Sequence, residues 1–217
     1  TGQPVAILHD ECYLTDVRTA VAGAVAAKYL SPSNVKTIGI VGTGVQARLQ
    51  LRYLKDIVNC RNVIVWGRNQ KALLRYEKEM SMYEYQITTT TNMSDIVEHC
   101  QLIVTCTPSE RSLINAVRPG THITAIGSDT VSKRELSSDV MLQADMIVTD
   151  SKDQSRIRGE IYQVLKDGNS LDGITELGQI ISGKIEGRVS QEHITIADLT
   201  GVAVQDIQIS KAVLKNL

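Results

Sequence analysis

At 217 residues, with 23 Lys and Arg against 24 Asp and Glu, the chain can bury a substantial core and has no charge excess to draw it to nucleic acid or a membrane surface. Its longest apolar stretches fall far short of a membrane span, which removes membrane-embedded classes from the reading. Cys12, Cys60, Cys100 and Cys106 are scattered with no C-x-x-C pair, so they read as reduced, buried filler in a cytoplasmic protein and not as a metal site or a disulfide frame.

In chain order, the opening T-G-Q-P-V-A-I-L-H-D reads as the middle of a sheet, and the sequence as a fragment of a longer protein. Val5–Leu8 is predicted as a short strand with Asp10-Glu11 at its exit. Thr15 is then expected to cap a helix running to Leu30, with Asp16 favouring its first turn. The body of that helix is rich in Ala and Gly and suits close packing. Arg18 and Thr19 stand apart from it. A guanidinium there suits bidentate binding of a carboxylate or phosphate, or an ordinary ion pair with an internal acid; the two stay open. Ser31-Pro32-Ser33 ends the helix.

The next stretch, K-T-I-G-I-V-G-T-G-V-Q-A over 36–47, organises the rest. An apolar run feeds a turn containing Gly42 and Gly44, a small residue (Ala47) follows three positions later, and a helical segment runs from Gln46 to Val58. This is the order of a dinucleotide fingerprint: one Gly for the tight turn, one to let a pyrophosphate meet the backbone, and a small residue for helix–strand packing. The alternative is a glycine turn without a cofactor. Strands are predicted at 36–41, 62–66, 85–88, 101–105, 121–126 and 145–149, with helices such as 69–82 and 94–99 between them. That alternation implies an α/β, Rossmann-type, doubly wound parallel sheet.

Residues at strand tips carry the chemistry. After the second strand no acid appears; Arg68, Asn69 and nearby Lys71 favour the phosphate of NADP over NAD, unless Arg68 is a solvated turn residue. Thr105 and Thr107 face the cofactor side or act as turn caps. Asp129, with Lys133 four residues on, emerges where a nicotinamide would lie and can hold an ammonium or move a proton, or else caps a helix over 133–143. Further on, helices are predicted over 154–165 and 173–183, a strand at 194–196 and a terminal helix to Leu217. The four His residues have no metal-ligand company, so no metal and no catalytic role is assigned to them.

L-T-D-V-R-T-A at 14–20, G-T-G-V-Q-A at 42–47, G-S-D-T-V-S-K-R-E-L at 127–136, Q-S-R-I-R-G-E-I at 154–161 and D-L-T-G-V-A-V-Q-D at 198–206 together resemble the ornithine cyclodeaminase/mu-crystallin family. The resemblance implies a nucleotide domain over 32–150, with 1–31 and 151–217 belonging to a substrate and dimerisation domain, and a homodimer. It implies that Arg18 holds a substrate carboxylate and that Thr19, Val45 and Gln46 meet the pyrophosphate. Thr107, Ile126, Gly127, Ser128 and Lys133 would serve the cofactor, Asp129 would bind the substrate amine, and Thr200 would line the substrate pocket. The activity implied is an NAD(P)-dependent amino-acid cyclodeaminase acting on a small amino acid. The alternatives are an amino-acid dehydrogenase or ketimine reductase, the latter taking a cyclic imine, and a non-catalytic NADP-binding protein.

Overall fold

The structure, a computed structural model, describes residues 2–216. In order the elements are α1 (Tyr13–Leu30), β1 (Ile38–Val41), α2 (Val45–Leu54), β2 (Asn62–Trp66), α3 (Gln70–Met80), a 3-10 turn (Ser81–Tyr83), β3 (Gln86–Thr90), α4 (Met93–His99), β4 (Leu102–Thr105) and β5 (Glu110–Ile114). They continue with β6 (His122–Ala125), β7 (Arg134–Leu136), α5 (Ser138–Leu142), β8 (Met146–Thr149), α6 (Lys152–Ser155), α7 (Glu160–Lys166), β9 (Thr175–Glu176), α8 (Leu177–Ile181), β10 (Thr195–Asp198) and α9 (Ala203–Lys215). Leu217, the expected end of the last helix, lies outside the described residues.

Among the described residues, eight strands form one sheet in the order β3-β2-β1-β4-β6-β10-β8-β9, with every pairing parallel. β5 and β7 pair separately. β1, β4, β6 and β10 are buried along their whole length, as strands covered on both faces must be. Ile38 and Ile40 pack with Leu51, Leu54, Leu73 and Tyr76 on one side; Val41, Ile103, Ile123 and Ile196 pack with Val140 and Ile161 on the other. The doubly wound expectation holds, and strand order reverses between β1 and β4, where such sheets open a crevice.

Several local expectations are corrected. Val5–Leu8 is not a strand: Val5 and Ile7 are 88% and 80% exposed, and an extended segment without a neighbouring ladder has nothing to bond to. Thr15 does not cap α1. The helix starts at Tyr13, with Cys12 in the cap position, and the Asp10 carboxylate accepts from Leu14 N at 2.7 Å. Cys12 precedes the helix in left-handed backbone and is exposed, not buried. The helix expected over 154–165 is split into α6 and α7, because Gly159 takes φ 97° and a Cβ there would stand 2.7 Å from Asp198 Oδ2. The one expected over 173–183 shrinks to α8 behind the short β9. The 194–196 strand is present as β10, and it lies inside the sheet, between β6 and β8.

α1 is fixed to this sheet by Arg188, whose Nε donates to Leu30 O and whose other nitrogens reach Thr121 O, His193 O and Thr195 Oγ1. Burial lowers this guanidinium to about 10. Against α2 the contact is closer still. A Cβ on Gly23 would lie 2.1 Å from Gln50 Oε1, and Gln50 is fully buried with Nε2 donating to Thr19 O at 3.1 Å. Gly23→Ala is therefore expected to turn that amide away from Thr19 and destabilise the fold by ~1–3 kcal/mol, read as a lowered denaturant midpoint. An unchanged midpoint would show that α1 and α2 have room to part.

Candidate functional site

The β1–α2 turn owes its shape to three glycines with different duties. Gly42 takes φ 129°, and a Cβ there would meet the Cys106 carbonyl at 3.0 Å. Gly67, at the tip of β2, would press a Cβ onto Thr43 Cγ2 at 2.8 Å. Gly44 is the reverse case: nothing lies within 4 Å of its Cβ position. It is the N-cap of α2, in extended backbone, and no side chain caps that helix. The first-turn N–H groups and the positive end of the helix dipole thus face open space, an arrangement with room and donors for a phosphate. Behind the turn Ala47 is fully buried, and its carbonyl accepts from Tyr76 Oη at 2.9 Å. Arg48, which carried no expectation, braces the turn by donating to the Thr43 and Gly44 carbonyls while pairing with Glu79 at 2.6 Å.

A cleft of about 270 Å³ opens beside this turn at the carboxyl ends of β1, β4 and β6. Of the sequence-predicted residues it brings together Gly44, Val45, Gln46, Thr107, Ile126, Gly127, Asp129 and Lys133, joined by Cys106 and Pro108. Asp129 is half-exposed at its mouth and accepts from Lys133 Nζ at 2.6 Å. It caps no helix, since the chain runs from there into β7. Gln46 also ties the cleft to α1, donating to Asp16 O and Asp16 Oδ1.

The other predicted residues stand outside this cleft. Ser128 is buried, with Oγ donating to Lys133 O at 2.7 Å, and so shapes the loop. Arg68 is exposed at the β2 tip, whereas Asn69 Oδ1 is engaged in capping α3 through Lys71 N and Ala72 N. Thr19 Oγ1 donates back to Thr15 O. Thr200 is buried, donating to Asp150 Oδ1 and accepting from Gln154 Nε2. Arg18 pairs with Asp206 at 2.9 Å and with Gln205, so of its two readings the internal ion pair is the one present. It lines a separate apolar groove between α1, α8 and α9.

Beneath the cleft lies a group of acids that carried no expectation. Glu135, Glu160 and Asp198 are all buried. Glu135 takes N–H and O–H bonds from Thr107 and an N–H bond from Gly127; Glu160 accepts from Glu135 N and Leu136 N; Asp198 accepts from Ile161 N. Desolvation pushes Glu135 up to about 7, against these bonds. It pushes Glu160 up to about 8, with the Asp198 and Glu135 charges adding to it, and Asp198 up to about 7. Their signal in sequence was faint: Asp198 stands between Ile196-Ala197 and Leu199, but Glu135 follows Lys133-Arg134 and Glu160 follows Arg158-Gly159, as surface acids do. His122 is buried and pushed down to about 3, chiefly by desolvation; it is neutral and bonded to Thr124 and Thr195. Among the described residues no cluster of His, Cys, Asp and Glu could hold a metal ion, and no helix is long and apolar enough to cross a membrane.

The same fold recurs in known proteins. An uncharacterized cyclodeaminase of Sinorhizobium fredii is 41% identical over 97% of this chain. The chain spans 65% of that relative's length. An archaeal alanine dehydrogenase dimer with bound NAD superposes over 100% of this chain and 69% of its own, with 34% identity and a TM-score of 0.91. The iminosuccinate reductase of Paracoccus denitrificans, in complex with NAD+, covers 93% of this chain and 63% of its own, at 32% identity and a TM-score of 0.87. The family model of the ornithine cyclodeaminase/mu-crystallin family matches residues 1–217. With that match over its whole length, and relatives of this identity beside it, the chain belongs to the ornithine cyclodeaminase/mu-crystallin family.

Proposed function

We propose that this chain carries the nucleotide-binding domain of an enzyme that moves hydride between NAD(P) and the α-carbon of a small amino or imino acid. The observation that carries the reading is the cleft itself, where the open Gly44 turn and Asp129 share one cavity. The nicotinamide, when bound, supplies the hydride acceptor or donor. What the chain supplies is position and charge. Val45 and Gln46, at the free N-terminus of α2, hold the pyrophosphate. Thr107, Ile126 and Gly127 wall the nicotinamide side. Asp129 exchanges Lys133 for the substrate ammonium and holds or takes its proton. Arg68, at the tip of β2 with no acid beside it, supports NADP, while the NAD bound in the two solved relatives supports NAD. Arg18 belongs to this reading as the carboxylate ligand, once Asp206 yields it. So do a homodimer and the assignment of 1–31 and 151–217 to a substrate domain, with β9 and β10 of that stretch completing the nucleotide sheet.

A bound nicotinamide would serve in one of two ways: as a recycled hydride carrier while the substrate's distal amine displaces ammonia and closes a ring, or as the net oxidant or reductant of the substrate. Cyclodeamination is supported by the S. fredii relative. Net redox chemistry is supported by the dehydrogenase and reductase relatives. The test incubates the full-length protein with ornithine, alanine and other amino acids plus NAD or NADP, following ammonia and reduced cofactor together. Ammonia alone means cyclodeamination; ammonia matched by reduced cofactor means a dehydrogenase. Asp129→Asn is expected to abolish turnover and leave nucleotide affinity nearly intact. A variant that still turns over removes Asp129 from the chemistry.

A further inference from the structure

Glu135 has no solvent exposure, yet both of its oxygens are spent on the walls of the cleft. Oε1 accepts from Thr107 N and Thr107 Oγ1, each at 2.7 Å, and Oε2 accepts from Gly127 N at 2.9 Å. Thr107 follows β4 and Gly127 follows β6, which are neighbours in the sheet. One carboxylate therefore fastens two separate turns to each other. The fit is tight: a Cβ on Gly127 would stand 2.3 Å from Glu135 Oε2 and 2.4 Å from the Thr107 carbonyl. From behind, Glu160 holds the backbone that delivers Glu135, accepting from Glu135 N at 2.7 Å and Leu136 N at 3.1 Å.

Among the described residues no Lys or Arg pairs with either acid. A buried carboxylate without a cation is a costly way to fill space, and an apolar side chain of similar volume would serve packing better. Its return is geometric. Above about pH 7, where Glu135 gives up its proton, its planar carboxylate has two acceptors and no donor, which is what three converging N–H and O–H groups from two turns require.

We propose that Glu135 is a positioning residue for the nicotinamide half of the dinucleotide, setting the spacing between the Thr107 and Gly127 turns. The proposal rests on the dinucleotide reading above. Glutamine at this position offers one acceptor and one NH2, so a donor must face a donor at one turn, and the turns move apart. The adenosine and pyrophosphate half, held by the β1–α2 turn, is untouched.

The test titrates the full-length wild type and Glu135→Gln at about pH 8, where Glu135 is ionised, with NADH or NADPH, whichever the wild type prefers, and with ADP-ribose or its 2′-phosphate, which lack the nicotinamide. The expected result is a loss of about 10- to 100-fold for the reduced dinucleotide, the scale of a hydrogen bond to a charged group, with the nicotinamide-free ligand within about threefold of wild type. Should Glu135→Gln not fold, Glu160→Gln, which acts through the β7 backbone, takes its place with the same split at smaller size. Equal losses for both ligands, no loss for either, or failure of both variants to fold makes Glu135 a packing residue and overturns the proposal. A wild type that binds no dinucleotide sinks the functional reading and this inference together, whereas a wild type that binds without the split sinks this inference alone.

Discussion

Gly44→Val is expected to eliminate measurable dinucleotide binding, a loss of at least ~100-fold, while leaving the thermal midpoint of the free protein almost unchanged. Both halves follow from the same observation. Beyond the two adjoining residues nothing lies within 4 Å of the Gly44 Cβ position, so the branch point of a side chain there has open space in front of it. The backbone at φ −83° and ψ −167° is an extended conformation that valine adopts without strain. The space it fills is the approach to the uncapped end of α2, where a phosphate needs to reach backbone N–H groups. Gly42→Val is the contrasting control: at φ 129°, with the Cys106 carbonyl 3.0 Å from its Cβ, it loses stability as well as binding. Calorimetric titration with NAD and NADP, run beside thermal melts, separates the two. Full affinity in Gly44→Val would show that the ligand does not approach this turn.

The second large effect is a fall in stability as pH rises from about 6.5 to 8. Glu135, Glu160 and Asp198 hold their protons in the folded protein up to about 7, 8 and 7, against ordinary values of 4.5, 4.5 and 3.8. Below the ordinary values both states are protonated and nothing changes. Between the ordinary and the folded values the folded state binds more protons than the unfolded state, so raising the pH favours unfolding, by up to ~1.4 kcal/mol per pH unit for each group. Because the three feel one another's charge, they lose protons as a set and the total stays below three independent contributions. His122 works in the opposite direction. Its folded value of about 3 lies below 6.5, so it favours folding as pH rises through that interval and hides part of the effect there. Above 6.5 its contribution is constant and the carboxylates act alone. Melts from pH 5 to 9 are expected to show the midpoint dropping between 6.5 and 8, and the drop flattening in Glu160→Gln. A midpoint that is level or rises over that window would mean these acids are ionised and well solvated.

The dinucleotide turn was legible because its signals are local: two glycines, a small residue and a strand–helix switch, each needing only near neighbours. Thr107, Gly127 and Asp129 could be placed because they follow buried strands in a sheet whose direction was already known. What escaped depends on distant partners. Glu135 and Glu160 resemble surface acids until the fold puts backbone N–H groups around them. Arg18 was left open between two roles, and its partner Asp206 lies 188 positions away. Val5–Leu8 shows the opposite error, an apolar segment credited with a ladder that the described residues do not supply. β10 was recognised as a strand, but four residues carry no information about which strands they will separate.

That placement of β10 has a consequence for how the chain folds. Residues 38–125 contain β1, β2, β3, β4 and β6 with their crossovers, and can assemble from contacts between near neighbours in sequence. β8 and β9 cannot join them until β10 has been made, because β10 is the only strand of the described sheet that pairs with both β6 and β8. During synthesis the β10-facing edge of β6, ending at Ala125, and that of β8, ending at Thr149, therefore wait apolar and unpaired until Thr195 is made, while β9 at Thr175–Glu176 can cover the other edge of β8 sooner. Closing the sheet is a late, long-range event that sets the folding rate, and a chain interrupted before Thr195 is left with open edges that invite pairing with other chains.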